Sequence, residues 1–186
     1  MQKNYKIIFN PGMLTRRCLA LFYIGFFCCS APAFAEERVY KVEAAFLYNF
    51  LDYITWPPKN EGNSGVFSIC VYGNDSLYNS LDYIKRKKIE ERKLDIRRLE
   101  NGKIASRCHI IFISKDYSGP APPLQSLLGL EGALIISDIP GFLDKGGMIE
   151  LTEEGQRMAI SINNSLLSES GFSVSSRLLN IAAKVE

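Results

Sequence analysis

Three unbroken apolar runs, regularly spaced and each ended by turn residues, constrain the fold of this chain more than any other feature. Val66–Tyr72 stops at Gly73. Cys108, His109, Ile110, Ile111, Phe112 and Ile113 form the second run. Ala133, Leu134, Ile135 and Ile136 form the third and lead into Ser137, Asp138 and Gly141. None has the alternating polar residues of a half-exposed strand, so each suits a strand buried on both faces. Helical periodicity fills the intervals. Asp75 can cap a helix reaching Ile84, with Leu77, Leu81 and Ile84 on one side. Residues 120–130 give another, carrying Leu124, Leu127, Leu128 and Leu130. Strands and helices alternating about every 20–25 residues predict an α/β fold with a mostly parallel sheet.

Upstream, residues 36–54 read as a helix whose buried face is Val39, Val42, Phe46, Phe50 and Tyr53, three or four positions apart. Thr55, Trp56, Pro57 and Pro58 end it, because proline disfavours helical geometry in the residue before it. A polar loop follows over 59–65. The charged run 85–93 reads as a solvated connection or a strand edge protected by charge. Residues 94–99 alternate as an amphipathic strand, and 101–106 suit a turn or short helix. Residues 148–151 and 158–162 flank Thr152, Glu153, Glu154 and Gly155, predicting an antiparallel hairpin at one sheet edge. A short helix or turn over 163–170, an extended segment over 172–174 and a helix over 176–184 complete the chain.

The first 35 residues differ in character. Lys3, Lys6, Arg16 and Arg17 precede an apolar core over 18–29, and small residues lead to Ala33, Phe34 and Ala35. A charged start, a short apolar core and an A-x-A site describe a secretory signal peptide, with cleavage expected after Ala35. The core falls well short of the ~20 residues needed to span a bilayer. A lipoprotein acceptor fits poorly, since Phe27 and Cys28 stand before Cys28 and Cys29. The expected organisation is therefore a signal peptide over 1–35 and one exported domain over 36–186. Four of the 22 basic residues and none of the 20 acidic ones precede Glu36, so the mature chain carries a charge of about −2 rather than +2. The basic surplus belongs to the targeting segment and gives no reason to expect nucleic acid as a partner. Of five cysteines only Cys70 and Cys108 remain. In an oxidising compartment they can pair, or they can be two separate buried thiols.

Catalytic signatures are missing. His109, the only histidine, lies in a buried strand, and Cys108 beside it points to the opposite face. The chain holds no C-x-x-C, no G-x-S-x-G, no phosphate-binding glycine pattern and no zinc-like spacing. Gly146 and Gly147 read as a tight turn. The expectation is no catalytic residue, no metal and no cofactor. Trp56, with Pro57, is either core or an exposed anchor for a partner. Asn74 and Asp138 stand where strands end, the place where open α/β sheets hold ligands, and read as turn residues or as a ligand site. Arg177, behind Ser175 and Ser176, reads as first-turn charge at a helix start or as a ligand contact.

The order of segments resembles the YfiR family of periplasmic regulators. The resemblance is carried by Phe46 to Phe50 running to Trp56 and Pro57, by Ile69 to Gly73 and by Cys108 to Ile113. Ser137, Asp138, Gly141, Phe142 and Gly146 to Ile149 extend it, as do Ile162, Asn163 and Gly171 to Leu179. Matches in order run from about Ala44 to Val185. The resemblance implies a single Rossmann-like, three-layer domain without enzymatic activity. It implies a disulfide between Cys70 and Cys108, which requires staggered strands, because Cys70 lies late in its run and Cys108 starts its own. A second, C-terminal bridge of that family has no counterpart, since no cysteine follows Cys108.

The resemblance further implies binding to the periplasmic sensor region of an inner-membrane signalling enzyme. Repression of a diguanylate cyclase would lower cyclic di-GMP and restrain biofilm formation. An outer-membrane lipoprotein is an implied second partner, and a homodimer is compatible with the sequence. The first helix and the Trp56–Pro57 turn are the expected contact region. A reading of another class is a small-ligand sensor with its pocket at the carboxyl ends of the strands.

Overall fold

The computed structural model describes residues 32–58, 66–73, 75–85, 88–89, 92–100, 102, 107–155 and 157–186, without the side chains of 32–37, 88–89 and 92. The chain divides into two compact units, Met1–Glu37 and Arg38–Glu186, and every described strand belongs to the second. Residues 1–31 of the expected signal peptide and the loops 59–65 and 103–106 lie outside the described residues, whereas Pro32 to Ala35, the end of that expected segment, are helical.

Helix α1 (Pro32–Tyr53) leads directly into a two-residue strand, β1 (Ile54–Thr55). Next come β2 (Val66–Tyr72), α2 (Asp75–Ile84), β3 (Lys88–Ile89), β4 (Arg92–Arg98) and β5 (Ile110–Ile113). The chain continues through α3 (Leu124–Leu128), β6 (Leu134–Ser137), β7 (Ile149–Glu154), β8 (Arg157–Ile162) and α4 (Asn164–Glu169). It ends with β9 (Ser173–Val174), α5 (Ser176–Ile181) and β10 (Lys184–Val185). Eight strands form one sheet in the order β10-β8-β7-β6-β5-β2-β4-β3. The five from β4 to β7 are mutually parallel, and β3 and β8 join antiparallel. Numbered among themselves along the chain, the parallel strands run 2-1-3-4-5, an order found in doubly wound α/β sheets. The expected α/β class with a mostly parallel sheet is what the chain adopts.

Each apolar run is a central strand, and every residue of β5 and β6 is buried. Four expectations need correcting. The hairpin β7–β8 is not the edge, because β10 adds a parallel strand outside β8. That strand takes Lys184, so the terminal helix is shorter than 176–184. The helix expected over 120–130 begins only at Leu124, because Pro120, Pro122 and Pro123 lack amide donors and hold extended backbone. The buried face of α1 is also turned. Tyr40, Glu43, Ala44, Leu47, Phe50 and Leu51 are buried, whereas Val39, Val42, Phe46 and Tyr53 are only half-buried.

The disulfide Cys70–Cys108 is present, with the Cα atoms 5.9 Å apart, and β5 begins opposite Ile69, the fourth residue of β2, although this offset alone does not set Cys108 beside Cys70. Ile69 pairs with Ile110, so regular pairing would set residue 108 opposite Phe67, too far from Cys70. Cys108 reaches Cys70 because it leaves the strand line before β5 begins. The left-handed backbone of Arg107, at φ 68°, makes that bend.

Candidate functional site

α1 runs against the direction of the parallel strands. Its turn at Tyr40 and Glu43 meets the residues that follow β5 and β6, and Trp56, just beyond its end, meets Phe67 and His109 at the amino ends of β2 and β5. At the carboxyl ends, Ser137 Oγ donates to the Ile113 carbonyl (2.7 Å) and accepts from the Ile139 amide (3.0 Å). The next residue, Asp138, accepts the Lys115 amide on Oδ1 (2.6 Å). Its Oδ2 lies 3.8 Å from Lys115 Nζ. These bonds tie the turn after β6 to the turn after β5. From α1, Tyr40 donates its hydroxyl to Asp116 (2.9 Å), and Glu43, one turn on, comes within hydrogen-bonding reach of Asp138.

Glu43 is 1 % exposed and Asp138 4 % exposed. Burial, then the nearby Asp138 charge, pushes the Glu43 carboxyl from 4.5 up to about 8, against the lowering pull of Lys115. Asp138 is raised as well, chiefly by burial, although its bond from the Lys115 amide opposes this. The pair borders a cleft of about 180 Å³ whose other walls include Val39, Pro140, Leu151 and Met158.

A second cleft, of about 360 Å³, opens near the amino ends of β6 and β7, lined by Pro57, Leu130, Met148, Glu169 and Phe172 among others. Trp56 closes the core nearby. It is 5 % exposed and donates Nε1–H to the His109 carbonyl (3.2 Å). Its ring meets those of Phe67, His109 and Phe172 edge-on. His109 Nδ1 accepts the Ser68 amide (3.0 Å), so this imidazole acts as a strand connector.

The structure therefore separates the residues singled out in the sequence. Asp138 lies at one end of the strands, Trp56 and Pro57 at the other, and Arg177 is exposed on α5. Asn74 lies outside the described residues. Sequence reasoning missed Glu43, although it stands in phase with Tyr40, Ala44, Leu47 and Phe50, and an acidic residue inside an apolar stripe is the signal that finds it. It missed Glu150 too. That buried carboxylate accepts the Gly141 and Leu143 amides, both at 3.0 Å, and fixes the 141–147 loop. Gly147 suits that loop because a Cβ there would run into the Phe142 ring. Glu150→Ala should lower stability in urea unfolding by about 2–3 kcal/mol, because two amides lose a charged acceptor. An unchanged midpoint would mean that water replaces it.

Among the described residues, no three His, Cys, Asp or Glu side chains are arranged to hold a metal ion. No helix among them is long and apolar enough to cross a membrane.

An α/β unit with a mostly parallel sheet, whose first helix meets the residues after β5 and β6 through Tyr40 and Glu43, is the class of protein that fold and site define. Comparison with known proteins gives the family. The profile described as YfiR/HmsC-like matches residues 40–183, and the chain belongs to that family. Members are periplasmic regulators of cyclic di-GMP signalling rather than enzymes. No curated protein matches the chain. Among solved structures, a conserved domain protein from Vibrio cholerae O1 biovar El Tor is similar at a TM-score of 0.50 and 12 % identity. The match covers 79 % of this chain and 60 % of that one, and at such identity it speaks for the fold alone.

Proposed function

We propose that the protein is an exported regulator that binds the periplasmic sensor region of an inner-membrane signalling enzyme, represses a diguanylate cyclase and so lowers cyclic di-GMP. Family membership over 40–183 is the observation that carries this reading. The geometry supports it. Open α/β sheets hold ligands at the carboxyl ends of their strands, and here Tyr40 and Glu43 of α1 occupy that ground. A buried disulfide between Cys70 and Cys108 suits an oxidising compartment. Binding one conformation of the sensor would shift its population toward the inactive state. An outer-membrane lipoprotein competing for the same protein would reverse that shift, and a second copy of the chain is a further proposed partner.

Deletion of the gene should raise cellular cyclic di-GMP, and the mature domain used as bait should retrieve a cyclase or sensor from detergent-solubilised membranes. Unchanged cyclic di-GMP in every growth condition would count against the proposal. The periplasmic form should begin at Glu36, as read by intact mass, and a form retaining residues 1–35 would contradict export with cleavage.

A second reading, a small-ligand sensor, is favoured by the roomier cleft. Ligand pockets occupy roughly 300–1,000 Å³. The cleft beside Pro57 and Phe172, at about 360 Å³, falls in that range, and the one beside Asp138, at about 180 Å³, falls below it. A specific ligand would raise the unfolding midpoint in a thermal-shift screen by mass action.

A further inference from the structure

Three buried carboxyl oxygens, both of Glu43 and Oδ2 of Asp138, have no hydrogen-bond donor among the described residues. Two ionised carboxylates offer only acceptors, so side by side they leave one another unsatisfied and repel. One proton changes this, turning a pair of acceptors into a donor and an acceptor. An incoming cation is the poorer explanation. The three oxygens are buried, and among the described residues no three His, Cys, Asp or Glu side chains are arranged to hold a metal ion.

We propose that Glu43 and Asp138 share a single proton across the joint between α1 and the carboxyl ends of β5 and β6, making the fold a sensor of alkaline pH. The groups facing the pair come from every element around it. Tyr40 stands one turn away on α1 with its hydroxyl on Asp116; Lys115 and Asp116 follow β5; Glu153 of β7 borders the same cleft. Asp116 disfavours ionisation of Glu43, and Lys115 alone among these favours it. Loss of the proton leaves two like charges in a buried joint, and the turns of α1 around Glu43 are where the fold should give way. The proposal is independent of which partner the protein binds.

The sign of the effect follows by linkage. Unfolded, Glu43 titrates near 4.5; folded, it holds its proton to about 8. Between those values the folded state binds more protons, so this group's contribution to stability falls as pH rises and is constant above the window. Ordinary paired carboxylates behave in the opposite way.

The test is unfolding of the mature protein, wild type against Glu43→Gln, at pH steps through the window. Glutamine donates an N–H to Asp138 without any proton from solvent. The unfolding constant of the wild type should rise relative to that of the variant by up to about tenfold per pH unit, the slope of one proton. Hydrogen exchange should report weakening first in α1. Parallel wild-type and variant curves would overturn the proposal. Should the variant not fold, difference infrared spectroscopy of the wild type decides. A protonated-carboxyl band present at neutral pH and lost near pH 8 supports the shared proton. Its absence at neutral pH refutes it.

Discussion

Trp56→Ala should be the most damaging single substitution in the α/β domain, lowering stability by about 3–5 kcal/mol, the range for emptying a large aromatic site in a core. The indole touches three rings contributed by three separated parts of the chain: Phe67 opening β2, His109 before β5 and Phe172 before β9. Its removal would loosen the amino ends of two central strands and the β1–β9 pair together, since β1 ends at Thr55 beside it. Trp56→Phe separates packing from hydrogen bonding. The His109 carbonyl also accepts the Leu134 amide at 2.8 Å, so it keeps a donor when the indole N–H is lost. That variant should cost only about 1 kcal/mol. Urea unfolding of both variants checks the pair of values, and a Trp56→Ala protein of near wild-type stability would show that the ring is not part of the core. The result bears on partner mapping: loss of binding in Trp56→Ala would report a loosened fold, whereas loss in a well-folded Pro57 variant would report contact.

Central strands were legible because burial on both faces writes itself as an unbroken apolar run. Val66–Tyr72 is identical in sequence and structure, and the helix Asp75–Ile84 follows its Leu77, Leu81 and Ile84 stripe. What the sequence hid depends on partners distant along the chain. β1 is two residues long and exists because Ile54 meets Val174 across the fold; it has no periodicity to read, whereas its partner β9 falls in the extended segment expected over 172–174. β10 arises where Lys184 and Val185 lie along β8. At the candidate site, Ser137 and Asp138 were visible as strand-end residues, but Glu43 was not, because a glutamate on a helix is ordinarily taken for the wet face. The turned face of α1 has the same origin: Tyr40 is buried with its hydroxyl donating to Asp116 beyond β5, and Glu43 and Ala44, in phase with it, are buried too.

Reduction or removal of the Cys70–Cys108 bridge is the second large effect to expect. The two positions are 38 residues apart, and loop-closure entropy in the unfolded chain gives about 4 kcal/mol for such a loop. The loop contains β4, the charged hairpin and α2, so without the bridge the unfolded chain gains the freedom of nearly a quarter of the molecule. The folded state loses something as well. Cys108 sits off the line of β5, behind an arginine in left-handed backbone, and that geometry costs roughly 1–2 kcal/mol for a residue other than glycine. The covalent tie holds it, and a Cys70→Ala, Cys108→Ala protein is free to let the bend relax. Both sulfurs are buried, so a reductant should act on the folded protein only when it opens. Thermal unfolding should therefore shift strongly downward when reductant is present throughout the scan, and thiol labelling at low temperature should find no free cysteine in the untreated protein. Equal midpoints with and without reductant, once labelling confirms both thiols, would show that the strand pairing of β2 with β5 suffices alone. The bridge would then be a mark of where the protein resides and not a support of its fold.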